Sequence, residues 1–469
     1  MSSLSPVSSK AKFIKLPSSF YFILLLATIS RLYHLGFQSF WLDEFINFFD
    51  STHPFHKIHS EILASPPLFH YVVRCFYLIF GKNDFWLRFP SALFGVATVG
   101  LLFIAVDRLY ERKAAIWASL LCALSPMAIV YSQELRMYSL LPLLSLSTVF
   151  FWELAMRQNR SIFWVGFSIF SVAGLYTHNW FPFLIASAGA WSCMEWTIKK
   201  SWSRKGIAAF ILTTLLYFPW IPVLREQMSR NVYGHMARPT LLSIRDVFYA
   251  FAGIKVPSGH SWVGVGTTAV IPIFIISMAF FFLGLRNKSV LRIFFVGMFL
   301  PFIAIFLVSR WYRPIFMANR YTIMFLPIYF IVISQAFCIF SSTKALRLSY
   351  FFQIFWLCGC VFVDGEYYFH FQKAPWKSMV QWINRNSIKD DRINFSALDY
   401  NRVAFDYYIP ILQELPSLSN IDRNFSAYIP VRNTEMPGLI QHFPPNLKIE
   451  TSKDFLDYTV LVVKAGFEK

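Results

Sequence analysis

Pro66–Phe80 reads PPLFHYVVRCFYLIF, and the placement of this run decides the topology of everything after it. The run is apolar, but it has only fifteen residues and carries His70 and Arg74, whereas a membrane-spanning helix needs about 20 apolar residues. Were it to cross, the clusters Arg108/Arg112/Lys113, Arg157/Arg160 and Lys199/Lys200/Arg204/Lys205 would all face outward. Laid along the outer face instead, it leaves those clusters inside together with Arg286/Lys288 and Lys344/Arg347, as the positive-inside bias requires. The run is therefore predicted to be a juxtamembrane helix within an outer loop, residues 37–88.

Outward from that point the chain alternates between long apolar runs and short polar turns. With 56% hydrophobic and 14% charged residues over 469 positions, it holds more apolar surface than a soluble core can bury, which predicts an all-α polytopic membrane protein. Eleven spans are expected, near 17–36, 89–107, 114–131, 138–156, 161–177, 180–198, 206–222, 263–285, 290–309, 321–340 and 347–364. Residues 1–16, with Lys10, Lys12 and Lys15, form a cytoplasmic tail; the run after them is too long for a signal-peptide core and lacks an A-x-A site. Eleven crossings from an inside N-terminus put residues 365–469 outside. Their scattered charges, prolines and short alternating runs such as YTVLVV (458–463) predict a small soluble α/β domain there. The net charge of +18 follows from the cytoplasmic loops and their anionic lipid headgroups, so no nucleic-acid partner is expected. All six cysteines sit in apolar stretches and read as core residues.

This topology sends the chemically interesting side chains to the outer face. WLDEF (41–45) places Asp43 and Glu44 just after the first span, as a catalytic base and an orienting or metal-binding neighbour; Asp43 equally suits the N-cap of a short helix. YSQELRMYSL (131–140) brings Glu134, Arg136 and Tyr138 to the outer turn between the third and fourth spans, where charge is costly unless it serves something. A simple Glu134–Arg136 ion pair would also account for it. Arg88, His178 and Arg320 lie at span boundaries and suit a phosphate, which guanidinium donors match; Arg225, His235, Arg238, Arg310 and Arg313 read as loop or headgroup anchors. No GxGxxG, P-loop or HExxH is present, so a sugar donor would have to come already attached to the membrane.

Together these motifs resemble the GT-C class of integral-membrane glycosyltransferases, in the bacterial branch related to protein O-mannosyltransferases (glycosyltransferase family 39) and to lipid A aminoarabinose transferases. The resemblance covers about residues 17–380. It rests on Asp43-Glu44, Pro66-Pro67-Leu68, the R-x-P-S-A-L run from Arg88 to Leu93, S-Q-E-x-R-x-Y from Ser132 to Tyr138, Thr177-His178 and Asn319-Arg320-Tyr321. Ser65 stands where relatives carry His before Pro-Pro, and nearby His70 is the candidate substitute. The resemblance implies a polyprenyl-phosphate-sugar donor, an acceptor hydroxyl on a lipid, glycan or protein, and inversion at the anomeric carbon. It also implies the acidic pair as catalytic, while the short inside tail and the lack of organellar signals fit a bacterial inner membrane as the setting. Positive charge on the leaving phosphate would come from Arg88, Arg320, His178 or a divalent metal held by Asp43 and Glu134. The rival expectation is a transporter or flippase, which calls for charges near the bilayer midplane and related halves; no repeat is visible here.

Overall fold

The computed structural model describes residues 16–61, 65–229, 236–258, 261–264, 267–339, 343–370, 373–386, 392–393, 407–408, 413–414, 427–432, 447–455 and 458–465. Almost all of the predicted tail 1–16, together with His235, lies outside these residues. In chain order the helices are α1 (Ser18–Leu32), α2 (Leu42–Thr52), α3 (Phe55–Glu61), α4 (Leu68–Phe80), α5 (Asp84–Leu109), α6 (Arg112–Ala123) and α7 (Pro126–Ser132). They continue with α8 (Leu140–Gln158), α9 (Ser161–Leu175), α10 (Phe181–Ile198), α11 (Arg204–Tyr217), α12 (Ile221–Ser229) and α13 (Leu241–Phe251). After a two-stranded β1 (Lys255–Ser258) and β2 (Ser261–Gly264) come α14 (Thr267–Gly284), α15 (Leu291–Phe294), α16 (Leu300–Trp311), α17 (Leu326–Ile339), α18 (Thr343–Phe369) and α19 (Trp376–Asn386).

Among the described residues six helices are long and apolar enough to cross a membrane, or seven if α6 and α7 form one bent span. Shorter apolar helices at α1, α4, α9 and most of α14 add to them. Each of the eleven predicted spans has a helix or helix pair at its position, and the chain is an integral membrane protein. At thirteen residues α4 reaches about 20 Å, well under the ~30 Å of a hydrocarbon core. It packs on α2, where Arg74 Nη1 donates to the Thr52 carbonyl at 2.6 Å.

The span predicted at 114–131 is broken in the structure. Between α6 and α7 the chain bends by 56° at Leu124–Ser125, where Ser125 accepts from Ala128 N–H at 3.4 Å and Pro126 opens the new helix. A break inside a bilayer frees carbonyls that need donors. Buried Arg31 of α1 supplies them, donating to Cys122 O at 2.9 Å and Ala123 O at 2.8 Å. The bend swings α7 outward and delivers residues 132–138 to the start of α2.

At the far end of the bundle a second ionic knot joins α8, α10 and α15. Glu153 accepts from Arg157 at 2.6 Å and Arg292 at 2.5 Å, and Arg292 reaches Glu195 at 3.2 Å. Beyond the helices the described strands β3 (Arg392–Ile393), β4 (Gln413–Glu414), β5 (Ala427–Arg432), β6 (Leu447–Phe455) and β7 (Tyr458–Ala465) form one mixed sheet. Its order is β4-β3-β5-β7-β6, with β3 parallel to both neighbours and β7 antiparallel to β5 and β6. This C-terminal unit is tied to the start of α5 by Asp84, which accepts from Tyr407 and Tyr408 hydroxyls at 2.8 Å each and from Lys377 at 2.6 Å.

Candidate active site

The site is built on the first turn of α2. Asp43 and Glu44 favour the positive end of a helix, and Glu44, at its third position, folds back to accept the Trp41 N–H at 3.2 Å. Asp43, the second residue of the helix, lies two places past the N-cap, Trp41. The two adjacent carboxylates then part company, because a 100° turn per residue sends one into the bundle and leaves the other half-open.

Glu44 is fully buried and every lone pair is used. Its Oε1 accepts from Arg88 Nε at 2.7 Å and the Leu135 N–H at 2.8 Å, and its Oε2 from Arg88 Nη2 at 2.8 Å and Lys373 Nζ at 2.9 Å. Burial alone would raise the Glu44 carboxyl, but Arg88 and Lys373 outweigh it and hold the group at about 2. Arg88 spends its remaining donors on the carbonyls of Leu35, Gln38 and Ser39, at 3.3, 2.7 and 3.1 Å. The arginine expected to bind phosphate is thus locked beneath the site with no donor free. Glu134 is also buried; its Oε1 lies 3.4 Å from Lys373, while its Oε2 finds no hydrogen-bond partner among the described residues. Burial pushes the Glu134 carboxyl up, the Lys373 ammonium opposes that, and nearby Glu44 reinforces it.

Above this buried layer lies a half-open one. Asp43 Oδ2 is 3.0 Å from Arg320 Nη1 and 4.0 Å from Arg136 Nη2, and the three side chains are 27%, 21% and 14% exposed. Arg136 also donates to the Asp43 carbonyl at 3.3 Å and the Tyr138 hydroxyl at 3.2 Å, and its Nε has no partner among the described residues. Burial disfavours charge on both arginines, but Tyr138 and Asp43 more than offset it and hold the guanidiniums charged. Each also rests on an aromatic face: Arg320 over Trp41 at 4.4 Å, Arg136 over Tyr138 at 5.3 Å. Tyr131 fixes the strand of chain bearing Arg320 by donating to Asn319 O at 2.5 Å, and Ser91 fixes Arg136 by donating to its carbonyl at 3.4 Å. The Glu134–Arg136 pair suggested by the sequence does not form, since the first faces Lys373 and the second Asp43.

Two histidines border this layer. His178 accepts the Trp180 N–H at 3.1 Å and stands edge-on to Tyr321; burial and Arg136 lower it to about 3, so it is neutral at neutral pH. His70 is buried between Ser51 at 3.0 Å and Ser65 at 2.9 Å, and burial with Arg136 lowers it likewise to about 3. Ser65, the departure from the expected His-Pro-Pro, is therefore bonded to the nearby histidine, and both ring nitrogens of His70 are occupied. A divalent cation would need converging oxygen donors. Asp43 converges with guanidiniums and Glu134 with an ammonium, and among the described residues no group of three His, Cys, Asp or Glu is placed to hold a metal. These side chains do not fit the cation.

Sequence reasoning passed over Lys373, which lies 329 positions from Glu44 in an unremarkable stretch. It also passed over Asp50, half-buried on α2 near Arg136, although its seven-residue spacing from Asp43 was a readable signal.

Residues 64–223, about a third of the chain, match the family model for dolichyl-phosphate-mannose-protein mannosyltransferases. An uncharacterized protein of Aquifex aeolicus is 28% identical over 169 residues, 33% of this chain and 34% of that protein's length. The chain therefore spans about a third of that relative. Among solved structures it is similar to ArnT from Cupriavidus metallidurans bound to undecaprenyl phosphate, with TM-score 0.60, 11% identity, and 95% of this chain and 97% of that one covered. The apo form of the same protein gives TM-score 0.59, with 11% identity and 94% and 97% covered. The Archaeoglobus fulgidus oligosaccharyltransferase in complex with Zn and sulfate gives 0.50 at 12% identity, covering 89% of this chain and 68% of that one. An ArnT-like helical body that continues into a C-terminal unit accounts for nearly the whole chain: it has the GT-C fold of the integral-membrane glycosyltransferases.

Proposed function

We propose that this protein transfers a sugar from a polyprenyl-phosphate donor to an acceptor hydroxyl, on the outer face of a bacterial inner membrane and with inversion at the anomeric carbon. The observation that carries the reading is the half-open Asp43–Arg136–Arg320 cluster, a carboxylate beside two fixed guanidiniums at the end of an apolar bundle. A groove of about 570 Å³ between α9 and α11 adds to it, lined by Trp164, Val172, Leu212 and Leu216 and ending at Leu68 and Tyr176. Those two residues are joined by a 2.9 Å backbone hydrogen bond and stand two positions from His70 and His178, so an isoprenoid tail in the groove would lead its phosphate to the site.

With the donor bound, Arg136 and Arg320 pair with its phosphate and release Asp43 from their charge. Asp43 then takes the proton of the acceptor hydroxyl as its oxygen attacks the anomeric carbon. The carbon–oxygen bond to phosphate breaks on the opposite face, and its electron pair leaves with the phosphate, whose new charge the guanidiniums stabilise. His178, neutral, is a hydrogen-bonding neighbour rather than a cation. Glu44, Arg88, Lys373 and Glu134 hold this layer in place. Similarity to a structure with bound undecaprenyl phosphate supports the donor class.

The test is turnover of polyprenyl-phosphate sugars by the purified protein in lipid nanodiscs, read as release of free polyprenyl phosphate. Asp43→Asn keeps the side chain's size and removes the base, and its rate is expected to fall about a hundred- to ten-thousandfold. Turnover by Asp43→Asn at the wild-type rate would refute the assignment.

A further inference from the structure

Asp50 follows Asp43 by seven residues, so both side chains leave α2 on the same side, about 10 Å apart along its axis. Both are half-buried, whereas Glu44, Phe45, Phe48 and Ser51 on the adjoining face are buried. The charged or titratable groups that act on Asp50 are Arg136, from the turn between α7 and α8, and His53, just past the end of α2. Among the described residues no hydrogen bond reaches its carboxyl. Asn47 lies between the two carboxylates in sequence and about 40° around the helix from Asp43. It is 1% exposed, yet both atoms of its amide lack a partner among the described residues. A buried amide left without a partner, next to a half-buried carboxylate that is open to a ligand, is a group waiting for a polar ligand.

We propose that Asp50, with Asn47, binds the hydroxyl groups of the donor sugar and so determines which sugar is accepted. This rests on the polyprenyl-phosphate reading above. Arg136 ties the two ends together: it flanks Asp43, is one of the two guanidiniums assigned to the phosphate, and is near enough to act on the Asp50 carboxyl. A sugar one bond from that phosphate lies along α2, with its anomeric carbon at Asp43 and its far hydroxyls towards Asp50. The separation exceeds what one hydroxyl can bridge, so Asp50 meets a part of the sugar remote from the reacting atoms and is a specificity residue, outside the chemistry. Burial raises the Asp50 carboxyl to about 6, against the opposing influence of Arg136 and His53, so it changes from acid to carboxylate close to neutrality.

The experiment compares two probes in nanodiscs, a short-chain polyprenyl-phosphate hexose and the same polyprenyl phosphate without sugar. For each variant the ratio of their affinities isolates what the sugar adds. Asp50→Ala is expected to lower that ratio about ten- to hundredfold, the worth of a hydrogen bond to a charged group, while leaving sugar-free phosphate binding unchanged. Asp50→Asn, which keeps shape and one acceptor, should fall between. The wild-type ratio should decline as pH falls through about 6, and the Asp50→Ala ratio should not follow it. An unchanged ratio in Asp50→Ala overturns the proposal, and so does an equal loss for both probes, which would mean that Asp50 acts only through Arg136. Failure of the wild type to bind sugar-free polyprenyl phosphate sinks the donor assignment itself, and this proposal with it.

Discussion

At the scale of single residues, two arginines that look alike in the sequence differ in their surroundings, and the proposed function assigns one to stability and the other to binding. Arg88 gives all its donors to Glu44 and three carbonyls, so Arg88→Lys should destabilise the detergent-solubilised protein while leaving donor affinity per folded molecule near wild type. Removing one partner of a buried pair costs about 3–5 kcal/mol, and a lysine that keeps charge but not the fork should cost a good part of that, visible as a lower Tm. Arg320→Lys, at the half-open layer, should do the reverse: an intact Tm and donor affinity reduced about tenfold or more. Glu44 has an acid signature of its own. Its folded value, about 2, lies below the ordinary 4.5, so its contribution to stability is complete above pH 4.5 and is lost as pH falls through about 2. Glu44→Gln should remove that acid-side dependence as well as lower Tm. Asp43 and Glu44 stood out in the sequence because adjacent carboxylates are rare beside a span, but adjacency hid their difference. Which carboxylate is buried depends on the helix phase, and that was set by Arg88 and by Lys373, a partner no local pattern could supply.

At the scale of elements, the apolar runs were legible because a bilayer fixes the length of any crossing helix, and the structure has helices at all the predicted positions. What the runs concealed was the break within 114–131. Ser125-Pro126 is an N-cap and first-turn signal embedded in apolar sequence, and hydropathy averages over it. The cost of the break falls on Arg31, whose replacement by Met leaves the Cys122 and Ala123 carbonyls unsatisfied. At about 1–3 kcal/mol per buried group, Arg31→Met should lower Tm and, by letting α7 drift, lower turnover as well. The short helix α4 carries the sidedness of the whole chain. In a cysteine-free background, Lys57→Cys should react with a membrane-impermeant reagent from outside, and Lys113→Cys and Lys200→Cys only after permeabilisation. Labelling of Lys113→Cys from outside would reverse the topology and remove the site from the outer face.

At the scale of the whole molecule, the contacts that bind the C-terminal unit to the membrane body include two ionic ones, Asp84 with Tyr407, Tyr408 and Lys377, and Lys373 with Glu44 and Glu134. The first is a latch and the second is part of the site, so they should respond differently. Tyr407→Phe together with Tyr408→Phe should loosen the unit, seen as faster amide exchange at Lys377 and its neighbours, with turnover largely kept. Lys373→Met should abolish turnover and lower Tm, because it leaves two buried carboxylates facing each other. The position of Lys373 also has a meaning in time. A ribosome delivers Glu44 to the translocation machinery long before the lysine that neutralises it, which follows 329 residues later, after the last apolar helix has been made. Until then Glu44 has Arg88 alone to balance it, and Glu134 lacks the ammonium that faces it in the finished fold. Under the proposed function, a chain that stops before Lys373 is therefore expected to be inactive, because the buried layer beneath Asp43 is left one charge short.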